Sequence, residues 1–584
     1  MPAGVAARRE RVDNSSLASR TVYDLPVLLL GSLILPMLAA ATSPAPELLL
    51  ENGSVYTAPA APPKKLSLLL RDGRIAFVGA ANEARRRAGA AEIVDLEGAF
   101  LFPGWADAHG HLQGLGKSLE IAKLSGAADP EEAARRMAAS ASSLPPGAWA
   151  EGRGWDQNRW PGKAFPDARD LDAALPGRPA VARRVDGHAM WASSAALEAA
   201  RIGKDTPDPD GGRIVRRPDG TPSGVLVDNA MDLMVRVMPE PSAADLTRRF
   251  LAAARACAEV GLTQVQDASG YGPPEIAALE ELAARGALPI RVYATVSPEP
   301  ESLPGAFSKG TRVGQGADFL TIRAIKAVAD GALGSRGAAL LHDYSDEPGK
   351  SGLLVTPPAR LAELARQARE KGWQLWIHAI GDRGNRIALE AFRGASAAVP
   401  KAPPGGERPR VEHAQVVALP DIPRFAKLGV IASIQPTHAT SDMPWAEARV
   451  GPERIEGAYA WRRLSRAGAR LAGGSDFPVE SHAPLLGLYA AITRQDPTGN
   501  PPGGWRPAER LTRGEALALF TSGAAYAAFE EGRRGRIAPG YEADLTVFSS
   551  DPMGVPERMI PSIPIVLTIV GGRVAFRGSP VAAQ

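Results

Sequence analysis

Short apolar runs broken by turn residues open and close the chain. Leu48 to Tyr56, Leu66 to Leu70 and Ile75 to Val78 read as strands, with Asn52-Gly53 and Asp72-Gly73 as hairpin signals. The same texture returns at Asp544 to Phe548, Ile565 to Val570 and Arg573 to Phe576, with Gly571-Gly572 between the last two. Two β-rich segments at opposite ends predict one small β-sandwich domain, assembled from residues 44–98 and 535–584. The body would then be the middle.

That middle alternates strand-like and helix-like segments. Ala99 to Ala106, Leu262 to Asp267, Ile290 to Val296, Thr321 to Val328, Gln374 to His378, Arg410 to His413, Val430 to Gln435 and Arg470 to Ser475 give eight strands, most followed by a helix-compatible run. Eight βα units predict an α/β fold of the TIM-like (β/α)8 barrel type over residues 99–534. No GxGxxG follows a strand and no Walker-type loop is present, which argues against a doubly wound nucleotide-binding sheet. Between residues 117 and 243 the alternation breaks. An insertion after strand 1 falls on the barrel face where substrates are held, so it is expected to act as a substrate cap.

Leu25 to Ala41 is the most apolar run, preceded by Arg8, Arg9, Arg11 and Arg20 and followed by small residues. Residues 1–43 therefore read as a signal peptide or an N-terminal anchor. Export to the periplasm or outside the cell is expected, with membrane association only if the segment is retained. Lys+Arg 67 against Asp+Glu 64 leaves a net charge of +3, too small for a nucleic-acid binder. A small-molecule substrate fits better, and homo-oligomerisation stays open. The single cysteine, Cys257, excludes a disulfide framework and a cysteine zinc cluster, and its helix-like surroundings predict a buried apolar role.

The eight histidines carry the chemistry. His109-Gly-His111 places two imidazoles two apart at a strand end, where both can face one cation. His378, His413 and Asp476 end three further predicted strands. Together they offer imidazole and carboxylate ligands on one barrel rim, the types zinc takes when cysteine is absent. Lys326 lies inside an apolar strand, which is costly for an ammonium unless its charge is lost or paired. It is either a neutral amine able to form a carbamate with carbon dioxide or the partner of Asp330 or Asp267.

On these residues the chain resembles the metal-dependent amidohydrolase superfamily. Pro103 to His111, the Lys326 strand, His378, His413 and Asp476 occur in that family's order. Gly154 to Trp160, Arg184 to His188, Asp330 to Arg336, His378 to Arg383 and Gly474 to Pro478 resemble the branch that includes N-substituted formamide deformylases (amidohydrolase family 3). The resemblance implies a hydrolase of non-peptide carbon–nitrogen bonds in N-formyl, N-acyl or cyclic amides. It implies one or two divalent metal ions, zinc foremost, at His109, His111, His378, His413 and Asp476, with Lys326 as a carboxylated bridge and Asp476 also moving the proton. His188 is the expected second catalytic group; Asp156, Arg336 and His438 are expected to touch substrate. Lactone or ester hydrolysis and isomerisation on the same fold are the alternatives, and a non-catalytic binding protein is a weaker one. Gln266-Asp267 replaces a His-Asp pair usual in the branch, which bears on substrate contact. His482 and His342 are expected to be a surface and a structural residue.

Overall fold

The computed structural model describes residues 45–145, 147–401 and 406–578. The leader expected at residues 1–43 lies outside them, and no described helix is long and apolar enough to cross a membrane. Eight parallel strands follow one another around a barrel: β1 (Trp105–Gly110), β2 (Leu262–Tyr271), β3 (Arg291–Val296), β4 (Leu320–Val328), β5 (Gln374–Ala379), β6 (Arg410–His413), β7 (Ile431–Ile434) and β8 (Arg470–Gly473). Each is hydrogen-bonded to the next from β8 back to β1. Their valines, isoleucines and alanines are buried, as expected of parallel strands covered by helices on one side and filled by side chains on the other.

The seam between β8 and β1 is closed by a side chain. Asp107 accepts from the backbone N–H of His109 (2.9 Å) and from both the N–H (3.1 Å) and hydroxyl (2.7 Å) of Ser475. The Asp476 N–H donates to the His109 carbonyl at 2.7 Å. The floor is a short helix, Ser522–Ala527, whose Ala524 and Ala527 pack on Ala106, Ala108 and Ala472. Small side chains on both sides let the helix seat against the strand starts.

The chain ends form one continuous hydrogen-bonded sheet in the order 573–577, 565–570, 545–548, 100–103, 48–55, 64–71 and 74–79, with 92–95 beside 48–55. One apolar cluster runs through both halves, including Leu48, Leu70, Leu101, Leu545 and Ile569. Phe100–Pro103, expected as the start of the first barrel strand, belongs to this sheet, where it pairs with Leu545–Phe548. The chain crosses into the barrel at Gly104, where an added Cβ would stand 2.4 Å from Thr263 Oγ1. An apolar run alone could not mark that crossing, since both sides of it are equally hydrophobic.

Buried charges tie the sheet to the barrel. Arg291, at the start of β3, meets Asp544 through two nitrogens at 2.8 and 3.0 Å and Glu542 at 3.3 Å. Arg534 meets the same Asp544 at 3.2 Å and also pairs with Glu530. Asp544 is held below the usual carboxylate range, against its burial, by Arg291 and Arg534.

The insertion is a subdomain with its own six-stranded sheet and helices. Its strands are Ala122–Lys123, Ala150–Trp155, Ala180–Arg184, Ala189–Ala192, Gly212–Arg216 and Pro222–Asp228. Trp155, Trp160 and Trp191 fill its separate core, with Trp155 stacked on Trp160 at 5.9 Å. Cys257 is buried in the helix Ala243–Glu259, as its apolar setting predicts.

Removing the shared carboxylate should loosen the junction. Asp544→Ala leaves two buried guanidinium groups short of a partner and should cost about 3 kcal/mol. Chemical denaturation checks it; a midpoint equal to that of the unaltered chain would show that the other acids suffice.

Candidate metal and active site

The C-terminal ends of the barrel strands bring the predicted residues together. His109 and His111 end β1, and their ring centroids are 5.4 Å apart. His413 ends β6 with its ring 4.9 Å from His109, 4.6 Å from His378 at the end of β5, and 5.8 Å from His438 after β7. Asp476 follows β8 and is the common partner: Oδ1 is 2.8 Å from His111 Nε2 and 3.3 Å from His109 Nε2, and Oδ2 is 3.2 Å from His438 Nε2. His413 and Asp476 both adopt positive φ, 73° and 61°. Non-glycine residues held in that region are strained, and here the turn aims each side chain into the mouth.

The other side of three of these imidazoles is fixed. His109 Nδ1 lies 2.5 Å from Glu412 Oε2, His111 Nδ1 is 3.1 Å from Ser269 Oγ, and His413 Nδ1 is 2.8 Å from Gln435 Oε1. The Nε2 atoms of His109 and His378 are buried and have no hydrogen-bond partner. A ring nitrogen without a hydrogen bond whose opposite face is oriented by a carboxylate, as in His109, is what a metal-ligating histidine presents. Burial pushes His378 and His413 well below the usual histidine range, so both are neutral donors. Against its own burial, Asp476 is held well below the carboxylate range by His109, His111 and His438. Two sets of three ligand atoms, His109–His111–Asp476 and His413–His438–Asp476, each lie within 4.8 Å of one another. The donor set of imidazoles and a carboxylate fits a divalent cation.

Lys326 stands in β4 and lines the same cavity. Burial lowers its pKa. Its Nζ donates to the Ala268 carbonyl at 3.2 Å, and among the described residues it forms no ion pair. The pairings considered from the sequence are absent, because both acids are occupied elsewhere. Asp330 accepts three backbone N–H groups, from Ala339, Ile380 and Gly381. Asp267 accepts from Leu112 N, Ser269 N and Tyr271 Oη.

Two adjoining cavities, about 670 and 430 Å³, share His188, His378, His413 and Asp476. The insertion supplies one wall. His188 Nδ1 is 2.6 Å from Asp228 Oδ1, and its ring is 5.0 Å from that of His378. Asp156 lines the larger cavity and is held by Arg184 at 2.5 Å. Arg336 is not part of this wall: it pairs with Asp346 and Glu347 and lines a different cleft of about 460 Å³. Its motif is close in sequence to Asp330, but the turn that follows β4 carries it away.

Gln266 lines neither of the two cavities. It is fully buried inside the barrel, accepting from Arg410 at 2.6 Å and donating to the Ala524 carbonyl at 2.7 Å. His482, expected on the surface, lines the larger cavity with its ring against Phe477 at 6.2 Å, whereas His342 is exposed. Sequence reasoning missed Glu412, Asp107, Asp228 and Glu480. Glu412 had one visible signal, a carboxylate in the middle of an apolar strand beside His413.

A model of the amidohydrolase family matches residues 92–576 of the chain. YtcJ of Bacillus subtilis (strain 168) is 34% identical over 535 residues, 90% of this chain and 99% of the relative. An N-substituted formamide deformylase of Arthrobacter pascens is 27% identical over 547 residues, 91% of this chain and 98% of that enzyme. The crystal structure of an uncharacterized metal-dependent hydrolase from Pyrococcus horikoshii OT3 superposes with a TM-score of 0.70 at 29% identity, covering 88% of this chain and 99% of that one.

Glu412 orients His109 and adds negative charge behind it, so Glu412→Gln should lower affinity for a divalent cation about 10–100-fold while the fold is kept. Competition with a chromogenic chelator measures this. Unchanged affinity would reduce Glu412 to a partner of Arg410.

Proposed function

The chain belongs to the amidohydrolase family, and from that premise we propose that it is a metal-dependent hydrolase of non-peptide carbon–nitrogen bonds in N-formyl, N-acyl or cyclic amides. The observation that carries the reading is the pair of buried nitrogens without a well-formed hydrogen bond, His109 Nε2, which faces only Asp476 Oδ1 at 3.3 Å, and His378 Nε2, in a mouth governed by Asp476. His109, His111, His378, His413 and Asp476 would hold one or two divalent ions, zinc foremost, and Lys326 would add a further ligand if carboxylated. A neutral Lys326 amine can add carbon dioxide and release a proton, giving a carbamate of the charge a two-cation centre needs. When bound, the cation supplies Lewis acidity and brings the pKa of a water from 15.7 to about 7.

The protein's own groups then direct the reaction. Asp476 is ionised and within reach of three imidazoles, so it can take a proton from the attacking water and hand it to the departing nitrogen. His188 is fixed at Nδ1 by Asp228, leaving Nε2 to donate to the substrate carbonyl oxygen as charge develops there. His438, between Asp476 and Glu480, and Asp156 across the cavity are placed to contact the substrate. The fixed Nδ1 partners hold the rings in one orientation before substrate arrives. The charged and small-residue pattern around the apolar run of residues 25–41 supports export of the chain.

Protein purified without chelator should carry at least one equivalent of divalent metal by elemental analysis; less than one would sink the hydrolase reading. Asp476→Asn should keep metal and lose at least about a thousand-fold in kcat, and Lys326→Ala should cost one metal if two are held. A panel of N-formyl, N-acyl, cyclic amide and ester substrates, assayed with and without chelator, tests the bond class. Ester or lactone turnover in the absence of any amide turnover would overturn it.

A further inference from the structure

The wall contributed by the insertion carries more positive charge than its own acids neutralise. Arg153 and Arg183 are register partners on adjacent parallel strands, Ala150–Trp155 and Ala180–Arg184, so their side chains leave the sheet on the same face. Both line the cavity that contains His109, His111, Lys326 and Asp476. Arg153 also lines the larger adjoining cavity. Like charges directly across a sheet repel, and a natural sheet ordinarily separates or neutralises them.

Three of the acids around them are engaged elsewhere, and the fourth, Asp232, attracts Arg183 without coming within ion-pair distance of it. Asp186, which faces Arg153, pairs with Arg184, and Arg184 takes Asp156 as well. Glu151, which faces Arg183, pairs with Lys117. Asp476 is shared by three histidines. Among the described residues neither Arg153 nor Arg183 forms an ion pair. Arg153 makes one hydrogen bond, from Nη2 to the Val185 carbonyl at 3.0 Å, and its Nε is buried without a partner. Burial, and after it the charge of Arg183, draws Arg153 down to about 10. A half-buried guanidinium with a buried, unsatisfied Nε is expensive, and a second half-buried guanidinium beside it more so.

The location makes sense of that cost. The Arg153 head stands against Gly187, where an added Cβ would be 3.6 Å from Nη2, and Gly187 immediately precedes His188. An anion held by the two guanidinium groups would therefore lie beside the residue that faces the reacting carbonyl. Planar forks of N–H donors suit carboxylate and phosphate oxygens in a bidentate manner.

We infer that Arg153 and Arg183 form a receptor for an anionic group on the substrate, a carboxylate or a phosphate carried on the arm remote from the scissile bond. This names the substrate class of the site proposed above and rests on that reading. It makes the insertion the element that selects substrate by charge, while the barrel rim acts on the amide.

Equilibrium binding to the metal-loaded protein tests it without requiring turnover. Calorimetric titration with succinate, 3-phosphonopropionate and the neutral succinamide should show at least one of the two anions binding about ten-fold tighter than the diamide or better. Whichever anion binds tighter identifies the group as carboxylate or phosphate. In Arg153→Gln and in Arg183→Gln that preference should fall about ten-fold with metal content unchanged, and Arg153→Lys should keep part of it. If Arg153→Gln fails to fold, Arg183→Gln and Arg153→Lys carry the test. A preference undiminished in the folded variants would mean that the metal alone holds the anion, and the proposal would be overturned, as it would be by equal affinity for all three probes. Absence of amide hydrolysis in the substrate panel would remove the reaction class and leave this binding result standing.

Discussion

One buried ion pair inside the barrel underlies both the fold and the site. Arg410 and Glu412 are two apart on β6, both fully buried, and joined at 2.7 and 3.1 Å. The same guanidinium donates to Gln266 on β2 (2.6 Å), the Ala108 carbonyl on β1 (2.6 Å) and Ser433 on β7 (2.9 Å), and lies 3.6 Å over the ring of Trp376 on β5. Five of the eight strands thus meet one cation. An isolated charge there would be prohibitive, but a guanidinium with its donors satisfied and an aromatic face beneath it is tolerable. Glu412, kept ionised by Arg410 against its burial, passes that order outward to His109.

Above this hub, the mouth is organised by carboxylates that each serve several groups. Asp107 closes the seam between the first and last strands, and Asp476, just beyond it, collects His109, His111 and His438. Closing the barrel and assembling the site are the same event, because the hydrogen bond from Asp476 N to the His109 carbonyl belongs to both. The insertion completes the enclosure with a second rigid scaffold. Its tryptophan core fixes the sheet whose interior strands offer Arg153, Arg183 and Arg184, and whose turn offers His188, to the cavity. A binding wall built on strands is held more closely than one built on loops.

Much of this was legible in the sequence because its signals are local. Alternating βα texture located six of the barrel strands to within a residue or two, missed the first by four to six residues and ended the second four residues short, and HxH, His378, His413 and Asp476 sit where strand ends were expected. What was not legible depends on long-range partners. Phe100–Pro103 reads the same whether it pairs with Leu545–Phe548 or continues into β1. Arg336 and Gln266 stand in motif-rich stretches, yet one is carried to a different cleft and the other is consumed by the barrel interior. His482 lacks any pattern of its own and enters the cavity only because the chain turns past Phe477.

The sequence by itself determined the kinds of groups available: imidazole and carboxylate ligands in place of thiolates, one lysine in an apolar strand, and eight strands to carry them. Residue type and short-range periodicity set those, since each is fixed by neighbours within a few positions. Tertiary structure alone decided which acid neutralises which base. Asp330 and Asp267 went to backbone amides, Glu412 to Arg410 and His109, and Asp186 to Arg184, so that among the described residues Lys326, Arg153 and Arg183 line the cavity without an ion pair. Charge pairing falls off within a few ångströms and takes no account of distance along the chain, so only the folded arrangement could settle it.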